Sequence, residues 1–376
     1  MEGPAIPQGG HEPCARLPCR SSAGGDDGEP RSCALRCRRQ NSDDSARSKE
    51  DKLVTRIAVL DDWQRVARAS ADWAPLMARA ELRFFETPFA DEDDAARALA
   101  EFDIVLVTRE RTPFPPSLVA RLPRLKMFGL TGARAGLIDI AGMISRGITV
   151  CYTGGGPSAS STAELALGLM LAAARRIPSG DVAVRAGRFQ LGTEAGPVLD
   201  GKTIGLIGLG RIGARMASYC RALDMKVLAW SQNLTDEAAN AAGATRVSKE
   251  ELLSAADVVS LHLVLSERTR GILGAADLAR MKPGAILINT ARAPLVDETA
   301  LVDAVQSGGI IAALDVFYRE PLPADHPFTR ARNVVLTPHL GYGVIEVYRE
   351  YYRHSVENAL AFLDGKPIRV LQSAGH

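Results

Sequence analysis

The sequence lacks an excess of charge of either sign and lacks any long uninterrupted apolar run. Its 376 residues include 45 basic and 44 acidic side chains, which leave a net charge of +1. This balance argues against binding to nucleic acids or membranes, because both need a strong positive field, and it favours a small-molecule partner. The apolar run at 163–174 is shorter than the roughly 18 to 20 residues of a membrane span, and residues 1–40 contain no apolar core typical of a signal peptide. We therefore expect a cytoplasmic location.

Cysteine is scarce outside the N-terminal segment. Four of the six cysteines lie in the first 40 residues: Cys14, Cys19, Cys33 and Cys37. The other two, Cys151 and Cys220, stand alone within apolar patterns, so the chain has no disulfide framework. A zinc site formed by the early cysteines, with His11 upstream, is the weaker alternative, because the cysteine spacings differ from those of the commoner zinc patterns. Residues 1–52 are rich in Gly, Ser, Pro and Arg and lack apolar periodicity, so we predict a disordered extension and no metal site.

Strand-like apolar runs alternate with helix-like segments over the rest of the chain. Five runs form a first series: Thr55–Leu60, Leu82–Phe85, Ile104–Val107, Leu125–Leu130 and Ile148–Tyr152. Six runs form a second series: Thr203–Ile207, Lys226–Trp230, Val258–Leu261, Ala285–Ile288, Ile310–Leu314 and Val334–Leu336. This alternation predicts an α/β fold with two Rossmann-like, doubly wound parallel sheets, of which the second has six strands.

The two series are separated by a glycine-rich break at residues 154–157. A helix is predicted to start with capping-box spacing at Ser161, and a last helix, at about 345–363, is expected to return to the first domain. Two crossing segments then act as hinges of an interdomain cleft. The predicted division has an N-terminal extension, a discontinuous substrate domain, and a dinucleotide-binding domain that includes the interdomain helix: residues 1–52, residues 53–152 with 341–376, and residues 153–340.

Gly208, Gly210 and Gly213 stand in the G-x-G-x-x-G register between an apolar run and a helical pattern. In that context Gly208 permits a tight turn, Gly210 lets a pyrophosphate approach the backbone, and Gly213 lets helix and strand pack closely. A glycine-rich structural turn is the alternative. The next strand ends at Ser231 without the acidic residue that binds the NAD ribose, yet no Arg follows in the loop to attract a 2′-phosphate. The pattern predicts NAD or NADP, with NAD slightly favoured.

Arg292, Glu320 and His339 each follow a strand-like run, so a parallel sheet would carry all three to one crevice. Their side chains suit hydride transfer to a 2-keto acid, which needs a proton donor for the alkoxide and a cation for the carboxylate and carbonyl. Of the six histidines, His262 and His339 end strands. His339 precedes Gly341, where the backbone can turn it into a cleft, and we assign it as the acid/base.

Glu320 is the candidate partner of that imidazole, which it would orient and favour in the charged form; a surface loop carboxylate is the alternative. Arg292 is the candidate clamp for a carboxylate, since a guanidinium binds it in fork geometry. Arg109 and Arg111 follow the Ile104–Val107 run; lining the cleft is the alternative for both, and we expect surface charge.

At these residues the chain resembles the D-isomer-specific 2-hydroxyacid dehydrogenases, from about Leu53 to Leu371. The shared motifs are Gly208-Leu209-Gly210-Arg211-Ile212-Gly213, Leu261-His262-Leu263, Asn289-Thr290-Ala291-Arg292, Ala313-Leu314-Asp315-Val316 through Glu320-Pro321, and Thr337-Pro338-His339. The resemblance implies that Arg292 binds the keto acid, His339 is the acid/base, Glu320 tunes it, and Asp315 contacts the nicotinamide carboxamide. It also implies a homodimer.

The predicted ligand-binding residues follow from these motifs and from departures from them. Cofactor-binding residues are Gly208, Gly210, Arg211, Ile212, Gly213, Ser231, His262, Thr290 and Asp315, and substrate-binding residues are Ala133, Arg134, Arg292 and Tyr342. Arg134 occupies a usual glycine position in a loop that grips the carboxylate, where it either adds a second cation for a larger or diacid substrate or points into solvent. Val264 and Tyr342 also depart from the family pattern, so the pocket is unusual.

The favoured function is NAD(P)-dependent interconversion of a 2-keto acid and its D-2-hydroxy acid. A formate-dehydrogenase-type reaction is a weaker alternative, because that resemblance would call for glutamine in place of Glu320. A non-enzymatic, NAD(H)-sensing corepressor-like protein of the same family is the alternative from a different class. Such proteins can keep the Arg, Glu and His, so the motifs alone do not separate the two.

Overall fold

A computed structural model describes residues 54–132 and 136–372. The described residues belong to one compact unit, which contains both sheets. The predicted extension with its four cysteines lies outside the described residues, as do Ala133 and Arg134. In the described ranges no helix is long and apolar enough to cross a membrane, and no cluster of side chains could hold a metal ion.

The first sheet has five parallel strands in the order β2-β1-β3-β4-β5. Its strands are β1 Arg56–Val59, β2 Glu81–Phe84, β3 Ile104–Val107, β4 Met127–Leu130 and β5 Thr149–Tyr152. The connecting helices are α1 Ala67–Ser70, α2 Ala74–Met77, α3 Glu92–Leu99, α4 Pro116–Val119 and α5 Ile140–Ser145. The strand order reverses between β1 and β3, which is the doubly wound arrangement of flavodoxin-like sheets.

The second sheet has seven parallel strands in the order β12-β11-β10-β9-β6-β7-β8. Its strands are β6 Thr203–Ile207, β7 Lys226–Trp230, β8 Thr245–Arg246, β9 Val258–Leu261, β10 Ala285–Asn289, β11 Ile310–Leu314 and β12 Val334–Leu336. The helices in this part of the chain are α6 Ser158–Ala174, α7 Ile177–Arg185, α8 Arg211–Arg221, α9 Asp236–Ala241, α10 Lys249–Ala255, α11 Ala275–Leu278 and α12 Glu298–Gln306. Short 3-10 helices cover Ala293–Leu295 and Pro327–Thr329. The order reverses between β6 and β9, as in a Rossmann fold.

The last helix, α13 Ile345–Leu363, packs on the first sheet although it follows the second. Its buried Val347 and Tyr351 join Ile57 and Ile104 of that sheet in one apolar cluster. The chain after α13 then runs along edge strand β5, where Leu371 N–H donates to the Val150 carbonyl. This tail covers a strand edge that would otherwise be open to pairing with another chain. The domain division itself stays a prediction.

Two sequence-based predictions about the second sheet are wrong. A seventh strand, β8, adds to the six expected, because its two exposed residues form no apolar run that could signal a strand. Helix α6 starts at Ser158, three residues before the predicted Ser161. Ser161 does not cap it, since its hydroxyl donates to the carbonyls of Ser158 and Gly341 from inside the first turn.

Candidate active site

The glycine turn between β6 and α8 lies at the point where the order of the second sheet reverses. Gly208 has a φ of 101°, and a Cβ there would lie 2.8 Å from the His262 carbonyl group. A Cβ on Gly213 would lie 2.2 Å from the Gly208 carbonyl oxygen, whereas one on Gly210 would meet no atom within 4 Å. Gly208 and Gly213 are therefore required by packing, and the space at Gly210 is open for a pyrophosphate at the start of α8.

Thr290 and His262 lie at the ends of neighbouring strands beside this turn. The Thr290 hydroxyl is buried, and no residue in the described ranges forms a hydrogen bond with it. A buried polar group without a partner costs free energy, so this hydroxyl suits a ligand atom. Burial lowers the pKa of His262 to about 4, and its Nε2 lies 3.0 Å from the Ser260 hydroxyl. The imidazole is therefore neutral near pH 7, and these residues fit a dinucleotide cofactor.

Ser231 follows β7, and the Trp230 carbonyl before it accepts a hydrogen bond from Gly208 N–H. Strand β8 pairs with β7 so that Arg246 lies opposite Ala229 near the same strand end. The Arg246 guanidinium lies 3.4 Å from the Asp236 carboxylate at the start of α9. An arginine is thus brought near the ribose position from outside the loop, but it is paired with an acid. The sequence missed it because β8 carries no strand signal.

Arg211 and Ile212 begin α8 directly after the glycine turn. Arg211 is exposed, whereas Ile212 is half-buried at the base of the helix. Both therefore lie at the helix end that would face the cofactor phosphates.

Asp315 organises the loop that carries the candidate acid/base. Its fully buried carboxylate accepts hydrogen bonds from the Thr337 hydroxyl at 2.6 Å, Leu340 N–H at 2.7 Å and Gly341 N–H at 2.9 Å. Burial raises the Asp315 pKa, although these three donors and the nearby His339 oppose the shift. The loop also binds α6, because the Thr162 hydroxyl donates to the Gly341 carbonyl. The predicted contact of Asp315 with nicotinamide stays a prediction.

His339 and Glu320 lie side by side after strands β12 and β11. His339 Nδ1 is 2.7 Å from Glu320 Oε2, and Phe317 N–H donates to Glu320 Oε1. Burial alone would raise the Glu320 pKa, but the bond and charge of His339, the Phe317 N–H and the charge of Arg292 together lower it. The carboxylate is therefore ionised and holds Nδ1, which leaves Nε2 for proton transfer. His339 has a φ of 54°, a strained conformation of the kind that clusters at functional sites.

Arg292 follows β10 and is half-buried at the same sheet edge. Its Nη1 donates to the Ala291 carbonyl, and its Nη2 lies 3.9 Å from Glu110 of the first sheet. Burial and the nearby charge of Arg109 lower the Arg292 pKa. Asn289 belongs to the same sequence motif, which gave it no predicted role. Its side chain closes the turn before Arg292, because it donates to the Arg292 carbonyl and accepts from Ala291 N–H. Asn289 is thus a residue that positions Arg292.

Tyr342 is almost fully buried and lies between the candidate acid/base and two arginines. Its ring centre is 5.7 Å from that of His339, and the guanidinium carbons of Arg109 and Arg111 each lie 5.5 Å from it. The expectation of surface charge is wrong for both arginines, since each is half-buried in the cleft and stacked on aromatic rings. No motif surrounds these two arginines in the sequence, so their burial beside aromatic rings becomes evident only in the folded structure.

Arg109 also reaches the edge of the loop in which the predicted Ala133 and Arg134 lie. The Arg109 N–H donates to the Thr131 hydroxyl at 2.6 Å. A Cβ on Gly132, whose φ is 82°, would lie 2.8 Å from Arg109 Nη1. The guanidinium is therefore beside the start of that loop.

The structure thus brings together Arg292, Glu320, His339 and Tyr342, while the glycine turn, Ser231, His262 and Thr290 lie along the carboxyl edge of the second sheet. Arg109 and Arg111 join them from the first sheet. Such a set can bind a small anion, hold it beside a dinucleotide, and exchange a proton with it. Ala133 and Arg134 lie outside the described residues.

Comparisons with known proteins find relatives that cover most of the chain. Residues 167–341 match the family model described as D-isomer specific 2-hydroxyacid dehydrogenase, NAD binding domain. A glyoxylate reductase of Aeropyrum pernix is 39% identical over 257 residues, which are 66% of this chain and 76% of that protein. A D-3-phosphoglycerate dehydrogenase of Archaeoglobus fulgidus is 36% identical over 278 residues, 74% of this chain and 52% of that protein. The chain therefore spans about half the length of such curated relatives.

Solved structures are similar as well. A phosphoglycerate oxidoreductase of Vibrio cholerae superposes with a TM-score of 0.79 at 36% identity, covering 83% of this chain and 100% of that one. A glyoxylate reductase of Paecilomyes thermophila has a TM-score of 0.65 at 30% identity, covering 84% of this chain and 98% of that one.

Proposed function

Because the chain belongs to the D-isomer specific 2-hydroxyacid dehydrogenase family, we propose that it interconverts a 2-keto acid and its D-2-hydroxy acid with a nicotinamide cofactor. The observation that carries the proposal is the 2.7 Å His339–Glu320 pair beside Arg292, at the edge of the sheet that holds the glycine turn. When bound, the nicotinamide supplies or accepts the hydride.

His339 acts as the acid/base in this proposal. Glu320 holds Nδ1, so in the reduction the imidazolium gives its Nε2 proton to the carbonyl oxygen, which becomes the hydroxyl. In the oxidation the neutral ring takes the hydroxyl proton back. The hydrogen-bond donors and cations around Glu320 keep its carboxylate ionised, and this negative charge stabilises the imidazolium that each cycle requires.

Arg292 binds the substrate carboxylate and polarises the carbonyl. Its only carboxylate contact in the described ranges is Glu110 at 3.9 Å, too long for a strong ion pair, so its fork remains available to a ligand. Asn289 fixes the turn from which it projects. The guanidinium thereby orients the reacting carbon, which raises the rate by holding a productive geometry.

NAD is the proposed cofactor over NADP. The family model that matches is an NAD binding domain, and no arginine follows Ser231 in its loop. Arg246 reaches that region but is paired with Asp236 and also faces Glu237, which leaves the local charge negative. A negative surrounding disfavours the extra 2′-phosphate of NADP.

The proposed substrate carries a second anionic group. Within the described residues neither Arg109 nor Arg111 has a carboxylate partner within the 4.0 Å limit of a salt bridge, and both face the cleft through Tyr342. Two cations beyond the one that binds the carboxylate suit a phosphorylated or dicarboxylic 2-keto acid. Relatives named D-3-phosphoglycerate dehydrogenase favour the phosphorylated one.

A substrate panel tests this function. The full chain is assayed with 3-phosphohydroxypyruvate, 2-oxoglutarate, hydroxypyruvate, pyruvate and glyoxylate, each with NADH and with NADPH. We expect the highest kcat/KM for a dianionic substrate with NADH. Arg109→Met should lower that value by about 10- to 100-fold, the effect of losing a hydrogen bond to a charged group, and leave glyoxylate unchanged. Arg97→Met, an exposed arginine on α3, is the control. Binding of NADH without turnover of any keto acid would instead support the corepressor-like alternative.

A homodimer is part of the proposal, and α7 with the segment after it is the proposed interface. Large apolar side chains are exposed there: Ile177, Val182, Val184, Phe189, Leu191 and Val198. Several large exposed apolar side chains in one segment are typical of protein interfaces. Replacing Phe189 and Leu191 together by serine should yield a monomer by light scattering, whereas Val264→Ser, an equally exposed apolar residue elsewhere, should not. A monomeric wild-type protein would refute this part.

A further inference from the structure

A cavity of about 110 Å³ lies outside the carboxyl ends of the first sheet, where its strand order reverses between β1 and β3. Trp63 from the loop after β1, Phe89 from the loop after β2, and Arg111 with Thr112 from the loop after β3 form one side of it. Doubly wound sheets bind ligands at such a reversal. The volume suits a small functional group and is too small for a second cofactor.

The other side of this cavity belongs to the candidate active site. Glu320 and Pro321, from the loop after β11, face Trp63 across it. Glu320 is the residue whose carboxylate lies 2.7 Å from His339 Nδ1. The cavity therefore begins one side chain away from the acid/base, at a distance that the far end of a bound substrate can reach.

Trp63 presents a hydrogen-bond donor that the described protein does not use. Its indole Nε1 is buried, and no described residue accepts a hydrogen bond from it. Native proteins pair nearly all buried donors, because leaving one unpaired costs free energy. The chain has a contrasting case in Trp73, whose Nε1 donates to the Ala67 carbonyl at 2.9 Å. A ligand oxygen in the cavity would give Trp63 the partner that Trp73 already has.

Arg111 makes the same wall of the cavity attractive to an acceptor. Its guanidinium carbon lies 5.2 Å from the Trp63 ring, and its Nη1 donates to the Asp61 carbonyl, so the side chain is held in place. Thr112 does not compete as a donor, since its hydroxyl donates to the Asp61 carboxylate at 2.6 Å.

Two carboxylates at the rim are engaged elsewhere. Asp91 caps α3 by accepting from Asp94 N–H, and Glu92 accepts from the Ser117 hydroxyl and lies 3.8 Å from Arg121. The negative charge that they bring to the rim is therefore partly balanced. The first sheet thus contributes one unused donor, Trp63 Nε1, to the lining of the cavity.

We propose that Trp63 determines substrate specificity by donating its indole N–H to an oxygen at the far end of the substrate, which lies in this cavity between Trp63 and Pro321. This inference rests on the proposed function. The oxygen belongs to a phosphate, a carboxylate or a hydroxyl group, and the experiment separates these sources.

The test compares substrates with and without a distal oxygen in wild type and Trp63→Phe. Phenylalanine keeps an aromatic ring beneath Arg111 and removes the N–H together with part of the indole, a loss of volume that the matched control below accounts for. We expect kcat/KM to fall by about 10- to 100-fold for the substrate whose oxygen the indole binds. The value for glyoxylate, which has no distal group, should stay the same. 3-Phosphohydroxypyruvate, 2-oxoglutarate and hydroxypyruvate identify the phosphate, carboxylate or hydroxyl source, and pyruvate is the apolar comparison.

Trp73→Phe is the matched control, because it removes an N–H that already donates within the protein. It should lower kcat/KM for all substrates equally or for none. Trp63→His, which restores a ring N–H, should recover part of the discrimination. Phe89→Trp, which narrows the cavity, should also lower kcat/KM for the larger substrate more than for glyoxylate.

If Trp63→Phe and Phe89→Trp change kcat/KM equally for glyoxylate and for the larger substrate, the inference is overturned and the proposed function still holds. Failure of wild type to turn over any keto acid would refute the proposed function, and with it this inference.

Discussion

The carboxyl edges of the two sheets face the same cleft but are built from different residues. The seven-stranded sheet presents a glycine turn, the His339–Glu320 pair and Arg292. The five-stranded sheet presents Arg109 and Arg111, which are stacked on aromatic rings. In the proposed reaction, hydride and proton transfer need the first set whatever the substrate, whereas the second set is proposed to recognise what lies beyond the reacting carbon.

The backbone shows the same difference. At the edge of the first sheet, Asp61, Arg65 and Arg109 all have positive φ values, of 64°, 56° and 60°. Residues other than glycine persist in this strained conformation only where the surrounding structure fixes them, and such residues cluster at functional sites. At the edge of the second sheet a glycine takes the strained position of the turn, and His339 is the exception. The strained positions at the edge of the first sheet thus include Arg109, one of the two arginines proposed to recognise the substrate.

The largest effect should come from the second edge. His339→Ala is expected to lower kcat by about 10² to 10⁴, the usual share of general acid-base catalysis. NADH affinity, measured by fluorescence titration, should hardly change, because the glycine turn is untouched. Glu320→Gln should cost less, since it keeps a hydrogen-bond acceptor for Nδ1. Unchanged turnover in the alanine variant would remove His339 from the mechanism and break the comparison.

Arg292→Lys should have a smaller effect that is equal for every substrate. An ammonium cannot reproduce a planar fork, so kcat/KM should fall by about 10- to 100-fold for glyoxylate and for larger keto acids alike. Steady-state kinetics on both substrates measure this. A loss confined to the larger substrate would move Arg292 to the recognising side of the cleft and contradict its assignment.

The smallest effect concerns the stability of the first edge. Burial raises the pKa of Asp61 to about 6 from 3.8, although Thr112 and Arg111 oppose the shift. The stability that the protonated carboxyl supplies is present below about pH 4 and is lost as the pH rises through 6. Wild type should therefore lose about 2 kcal/mol more than Asp61→Asn between pH 4 and pH 7, in denaturant titrations.

Asp103 provides a control for that titration, because it lies at the amino edge of the same sheet. Burial would raise its pKa, but the Arg56 N–H, Lys126 and Arg124 outweigh this effect and lower it. Asp103→Asn should therefore remove stability that is present at neutral pH and lost in acid. The same sign for both variants would mean that the two edges do not differ in the way described.

Strands of the parallel sheets could be predicted well, because they are buried on both faces and appear as continuous apolar runs. Ile104–Val107, Val258–Leu261 and Ile310–Leu314 have the predicted bounds. Strand β8 could not be predicted, since Thr245–Arg246 is short and exposed. The sequence around Ser161 matches the pattern of a helix cap, and nothing in it indicates that the Ser161 hydroxyl donates to the carbonyl of Gly341, 180 residues away.

The sequence by itself determined the glycine turn, most strands, and the placing of Arg292, Glu320 and His339 at strand ends, because these features depend on residues close together in the chain. Only the tertiary structure decided that Trp63, Arg111 and Glu320 surround one cavity. It also decided that Arg109 and Arg111 are half-buried beside Tyr342. These contacts depend on which strands become neighbours and on the return of α13 to the first sheet, and no local pattern of side chains encodes that order.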